Sequence, residues 1–346
     1  MSSSRRTTIE SLARDLGLSA STVSRALNGY TDISDETRRR VQESADDAGY
    51  KLISERKKRL TPTNAVGLVV EMWSLDISSP FLGQFLRGAT AALRRRSYDL
   101  LVASTDGAKE ALKVYNYLIA EGRVEGFILT RIRSEDPRIA LLTERDVPFV
   151  CFGRDQSGGH YAWHDIDAAE AVAKSVQYLA ERNHTELALL QAPAEINFVR
   201  LRQSSFREAL RHHGLKARED RIINAGLTAS DGAQAACTLL QSKSPPTAII
   251  CDLDALAMGA MYAIRDAGHV PGKDVSVIGY GDDPFSAFAE PALTTFSQDS
   301  ELAGRWVAEM FLAILDGTTP EILQRMRFAK FVERQSAARR GGVTKA

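Results

Sequence analysis

Apolar positions recur at helical spacing in three short stretches between residues 7 and 50. Ile9, Leu12, Ala13 and Leu16 fall at i, i+3, i+4 and i+7, which predicts an amphipathic helix capped by Thr7 or Thr8 and ended by Gly17. Ser19 offers its hydroxyl as the N-cap of a second helix, STVSRALNG. There Val23, Ala26 and Leu27 face inward, while Ser21, Thr22 and Arg25 point outward. A third helix starts at Ser34, carries Asp35 and Glu36 in its first turn, and turns Thr37, Val41 and Ala45 inward. From Asn64 the period changes. AVGLVV, DLLVAST, VEGFILT and VPFVCFG are short apolar runs separated by helical patterns around 80–97, 108–122 and 135–145. ELALLQA, RIINAG, TAIICD and VSVIGYG repeat the cycle, with helices around 168–182, 200–213, 230–242 and 255–267. Continuous rather than alternating hydrophobicity marks buried parallel strands. Two such series predict two doubly wound lobes of about one hundred residues each, with a ligand cleft at the carboxyl ends of their strands.

Charge sharpens the division. The 44 Lys+Arg balance the 44 Asp+Glu over 346 residues, yet the first 60 residues hold 12 basic against 9 acidic side chains. A basic head on a slightly acidic body fits an anionic partner for the head. Cys151, Cys237 and Cys251 are widely spaced and odd in number, so neither a disulfide framework nor a thiolate zinc site is encoded, and a reducing compartment is expected. The N-terminus lacks the apolar core of a signal peptide and no apolar run spans a bilayer, so a cytoplasmic protein without a membrane partner is expected. Neither GxGxxG nor GxxxxGK[ST] follows any strand. His160 and His164 stand four apart in a Gly-rich aromatic loop without the HExxH pattern. No catalytic residue, no metal site and no cofactor is read from the chain, and it is not read as an enzyme.

Two helices joined by a tight glycine-containing turn, the second bearing small polar groups and an arginine, form a helix-turn-helix whose second helix fits the major groove. Hydroxyls at Ser21, Thr22 and Ser24 reach phosphates or base edges without holding the helix away, and Arg25 can fork onto guanine O6 and N7. A three-helix protein-interaction domain is the plainer alternative. The wording is more specific than the outline. TIESLA, the turn GLS, STVSRALNG, SDETRRRV and the closing AGY resemble, almost position by position, the DNA-binding domain of the lactose repressor (LacI/GalR) family of bacterial regulators. That resemblance implies base selection by Ala20 and Ser21, with Arg25 a further contact. Thr8, Ser19 and Asn28 complete the candidate DNA-binding set. The family continues with a Pro-Asn pair and a hinge helix whose leucine wedges into the minor groove, whereas here Leu52 and Ile53 follow Tyr50 and ERKKRL replaces the alanine-rich stretch. Either Leu60 wedges in a shifted register, or the basic run 56–59 grips phosphate, or the segment is a charged linker.

The body resembles the effector domain of the same family through SSPFLGQFLRGATAALRRRSYDLLVAS, RVEGFIL, NHTELALL, RLRQSSF, DALAMGAMYAIRDAG, VSVIGYGDD and PALTTFSQD. The resemblance implies two lobes related to periplasmic binding proteins around a small effector, most often a sugar and sometimes a purine. It also implies contacts from Phe81, from Arg202, and from Asp252 to Asp254. Leu253-Asp254 stands where the family has Asn-Asp, and Gly281 where it has an aspartate, followed by Asp282 and Asp283. An arginine with carboxylates fixes vicinal hydroxyls, and an aromatic face covers the C–H side of a sugar. The candidate effector set is therefore Phe81, Arg154, Trp163, Asp165, Arg202, Asp252, Asp254 and Asp282.

The organisation expected is an all-α helix-turn-helix head (1–50), a hinge (51–63), an α/β core of two doubly wound parallel-sheet lobes (64–335) and a flexible tail (336–346). Its expected function is a sequence-specific transcriptional regulator, a repressor controlled by a small carbohydrate. One recognition helix covers only a few base pairs, so a homodimer on a pseudo-palindromic double-stranded operator is expected, and the family resemblance implies that it pairs through the helix around 83–96 and its neighbouring strand. A purine-responsive regulator of the same architecture, and a sugar-binding protein without DNA function, are the alternatives.

Overall fold

The computed structural model describes residues 9–27, 33–47, 62–71 and 80–338, and the chain divides into two units, Met1–Pro62 and Thr63–Ala346. In the first unit α1 (Ile9–Leu16), α2 (Ala20–Leu27) and α3 (Asp35–Asp47) bury Leu12, Ala13, Val23, Ala26, Val41 and Ala45 against one another. Backbone bonds from Gly17 N to Arg14 O and from Leu18 N to Ala13 O end α1. Ser19 Oγ then accepts from Thr22 N at 3.0 Å and caps α2, and Ser34 Oγ accepts from Thr37 N at 3.3 Å and caps α3. Thr8, Asn28, Leu60, Tyr50 and the basic run 56–59 lie outside the described residues.

The second unit holds two parallel sheets. The first has the order β11-β5-β4-β3-β1-β2, from β1 (Ala65–Glu71), β2 (Asp99–Thr105), β3 (Gly126–Leu129), β4 (Phe149–Phe152), β5 (Ala162–Ile166) and β11 (Gln324–Arg327). Helices α4 (Pro80–Arg94) and α11 (Ser300–Leu315) cover one face; α5 (Ala108–Ala120) and α6 (Pro137–Glu144) cover the other. The second sheet has the order β7-β6-β8-β9, from β6 (Leu187–Gln191), β7 (Ile222–Asn224), β8 (Ala248–Cys251) and β9 (Ser276–Ile278). It lies between α7 (Ala168–Ala180) with α8 (Asn197–His212), and α9 (Ala229–Leu240) with α10 (Asp254–Asp266). An antiparallel ribbon of β10 (Thr295–Ser297) and β12 (Lys330–Val332) joins the lobes. Among the described residues no helix is long and apolar enough to cross a membrane.

Three expectations need correction. The lobes are not two consecutive series, because the chain passes between them after β5, after β10 and after β11, and α11 and β11 complete the first lobe from more than 130 residues away. The stretch around His164 is not a loop but the strand β5. It pairs with β4 on one side and with the polar β11 on the other. Residues 336–338 are not a free tail. Ser336 is fully buried, its Oγ donates to the Val277 carbonyl at 2.7 Å, and the Tyr178 hydroxyl donates to the Ala337 carbonyl at 3.2 Å.

Candidate functional site

Two surfaces carry candidate chemistry, one on each unit. On the first, α2 presents Ala20, Ser21 and Arg25 exposed and Thr22 half-buried, while Val23 and Ala26 hold its opposite face in the core. Ser19 Oγ lies 2.8 Å from both Ser21 Oγ and Thr22 Oγ1, so the three hydroxyls form one cluster at the helix N-terminus, where the helix dipole favours a phosphate. Ser19 thus serves the cap and the presented face together.

On the second unit, a cavity of about 320 Å³ opens between the lobes at the carboxyl ends of their strands, in the size range of small-molecule sites. Of the expected effector residues, Phe81, Arg154, Asp165, Arg202 and Asp254 line it. Phe81 stacks on Phe152 at 5.5 Å between ring centres and also touches Phe85 at 5.6 Å, so it belongs to the packing and to the wall. Arg154 donates through Nε to Asp165 Oδ2 at 2.9 Å. Burial raises the Asp165 carboxyl above its ordinary pKa, and the Arg154 contact opposes the rise.

Arg202 is 4 % exposed. Its guanidinium lies between the rings of Tyr280, at 3.9 Å, and Phe198, at 4.6 Å, and Nη1 donates to the Asp252 carbonyl at 2.7 Å. Its buried Nε has no hydrogen-bond partner among the described residues. Arg202 thus lines the cavity as a cation held on one edge by Asp252 and stacked between two rings.

Trp163, Asp252 and Asp282 do not line the cavity. Trp163 lies 5.3 Å under the Arg154 guanidinium and packs into the cluster beneath α5 and α6, so it supports Arg154 instead of stacking on a ligand. Asp252 accepts from Ala192 N at 3.0 Å and holds Arg202, and burial raises its pKa. Asp282 is paired with Arg334 Nη2 at 2.7 Å. Asp254 reaches the wall, but its carboxylate accepts from Ser286 Oγ at 2.6 Å, Thr295 Oγ1 at 2.5 Å and Asp283 N at 2.8 Å, which ties α10 to the following loop and to β10.

The cavity also has walls that the pattern reading missed: Arg131, Asn197, Phe198, Tyr280, Asp283 and Gln298. Asn197 and Phe198 stand one helical turn before Arg202, so extending α8 back from RLRQSSF would have found them. Asn197 fastens the two walls: its Nδ2 donates to the Arg154 carbonyl at 2.6 Å and its backbone N to the Ile132 carbonyl at 2.9 Å. Tyr280 and Asp283 both lie within VSVIGYGDD. Among the described residues no group of three or more His, Cys, Asp and Glu could hold a metal ion.

Residues 8–51 match the family of bacterial regulatory proteins, lacI family, and residues 176–337 match the periplasmic binding protein-like domain. The chain is 31 % identical over 319 residues to the HTH-type transcriptional regulator RafR of Escherichia coli, covering 91 % of this chain and 94 % of that one. It is 32 % identical over 338 residues to the HTH-type transcriptional regulator AglR of Rhizobium meliloti (strain 1021), covering 95 % and 93 %. Among solved structures it resembles a complex of the transcriptional regulator CelR with cellobiose, with a TM-score of 0.75 and 28 % identity over 96 % of this chain and 100 % of that one.

Proposed function

The chain belongs to the lacI family of bacterial regulatory proteins and is a DNA-binding transcriptional regulator, not an enzyme; on that premise we propose that it is a cytoplasmic repressor whose operator affinity is set by a small carbohydrate held between its lobes. The observation that carries the carbohydrate reading is the make-up of the cavity. The aromatic rings of Phe81, Phe152 and Phe198 offer apolar faces, while the Arg202 guanidinium, the Arg154–Asp165 pair and Asn197 offer charged and polar groups. A sugar ring has apolar C–H faces and a rim of hydroxyls, which matches both kinds of wall. The cellobiose bound by the similar CelR adds support. Repression is exerted by a homodimer on a pseudo-palindrome, since a single α2 reads too few base pairs for genomic selectivity.

The test is to sequence the genomic DNA retained by the purified full-length chain at near-physiological salt, where phosphate attraction alone is weak. The expected result is one pseudo-palindromic site, released or retained differently when cellobiose or another neutral saccharide is added. Recovery of no common sequence with or without the saccharides would overturn the reading.

A further inference from the structure

On the carbohydrate reading of this cavity, we propose that Asp283 is the carboxyl with which the second lobe binds the effector, and that Gly281 is the residue that lets it into the cavity. The neighbouring acidic side chains of the second lobe, of which only Asp254 also reaches the wall, are committed to the fold. Asp252 holds Arg202 and Ala192 N, Asp282 holds Arg334, and Asp254 takes three donors from the chain. Asp283 lines the cavity, and among the described residues its carboxyl makes no hydrogen bond and no ion pair.

Gly281 explains how that carboxyl gets there. The glycine has φ +137°, a conformation L side chains rarely adopt, and a Cβ built on it would stand 3.4 Å from Asp283 Oδ1 and 3.7 Å from Asp254 Oδ2. A longer side chain at 281 would therefore grow into the space beside the Asp283 carboxyl. The bare backbone at 281 lets residue 283 fold its carboxyl back over the cavity wall. A free carboxylate there offers two oxygens and about four acceptor sites, enough for a pair of adjacent hydroxyls.

The electrostatic setting gives this role a signature. Asp254 from α10 and Asp282 on its own loop face Asp283, and Asp282 is neutralised in part by Arg334. Arg131, Arg154 and Arg202 stand elsewhere on the cavity lining. Burial first, then Asp254 and Asp282, raise the Asp283 carboxyl to about 7. Hydroxyls donate to the ionised form, so ligand binding and deprotonation reinforce each other. Affinity for a neutral saccharide should then rise as pH increases through about 7, and a ligand presenting an anion to this wall should be rejected.

Isothermal titration of the full-length chain and of Asp283→Asn with cellobiose and a panel of neutral mono- and disaccharides, at pH 5.5, 7 and 8.5, tests this. The unsubstituted chain is expected to bind more tightly at pH 8.5 than at 5.5, a comparison that needs no variant. Asp283→Asn is expected to bind roughly ten- to a hundredfold more weakly at pH 8.5, with a flattened pH profile. Equal affinity and an equal pH slope in the two proteins would overturn the role of Asp283 and leave the carbohydrate reading intact. Binding of no saccharide by the unsubstituted chain would overturn the carbohydrate reading and the role of Asp283 with it.

Discussion

Arg202 and Asp252 show how a single pair serves both the core and the cavity. The arginine lies against two aromatic rings, with Nη1 on Asp252 and Nε without a hydrogen-bond partner among the described residues. Asp252 is 1 % exposed, and burial keeps its pKa raised even with the cation beside it. Arg202→Ala should therefore cost about 3–5 kcal/mol of stability, because Asp252 would be left as a buried charge without its partner. Urea unfolding at pH 7 measures this, and a variant as stable as the parent would show the pair to be dispensable to the fold. Side chains such as Arg202, Asp165 and Phe81 were legible because they occupy recognisable motif or strand-end positions. Depth was not legible. Trp163 and Asp165 stand two apart on the same face of β5, and only Asp165 is near enough to the carboxyl end of the strand to meet the cavity. Asp254 looked like a hydroxyl acceptor because its three donors come from the loop after β9 and from β10, whose return to α10 no local pattern reveals.

At the scale of elements, the first lobe depends on the contact between α4 and α11. A Cβ on Gly304 would come within 2.1 Å of the Phe85 carbonyl oxygen, and one on Gly88 within 1.8 Å of the Glu301 carbonyl oxygen, so the two backbones meet with no room for a methyl group. Gly304→Ala should destabilise the body by about 1–3 kcal/mol, by prising α11 away from α4. A loss below a few tenths of a kcal/mol in urea unfolding would mean the helices separate without cost. Most of the predicted helical and strand patterns in the body lie between 80 and 267, where each strand and its helix are sequence neighbours and the apolar period speaks for itself. The elements that escaped notice are those whose partners are remote. β11, sequence QRMR, has no apolar run because it sits at a sheet edge beside β5, and α11 returns to a lobe that the chain had left at β5.

For the whole molecule, the cavity walls come from two lobes joined by three crossings and fastened by Asn197 to Arg154 and Ile132. A ligand that touches both walls can shift the lobe arrangement only by the difference between its contacts in the two arrangements. If that shift alters how well paired heads fit an operator, the coupling must work in both directions. Whatever factor a saturating saccharide imposes on operator affinity, a saturating operator duplex must impose on saccharide affinity. The expected factor is about 5–150, or about 1–3 kcal/mol. Fluorescence anisotropy of a labelled operator with and without saccharide gives one arm, and calorimetry of the saccharide with and without operator gives the other. Matching factors place the switch between the lobes and the heads of one molecule. A saccharide that binds tightly but leaves operator affinity unchanged would mean that the cavity and the DNA-reading helices act independently.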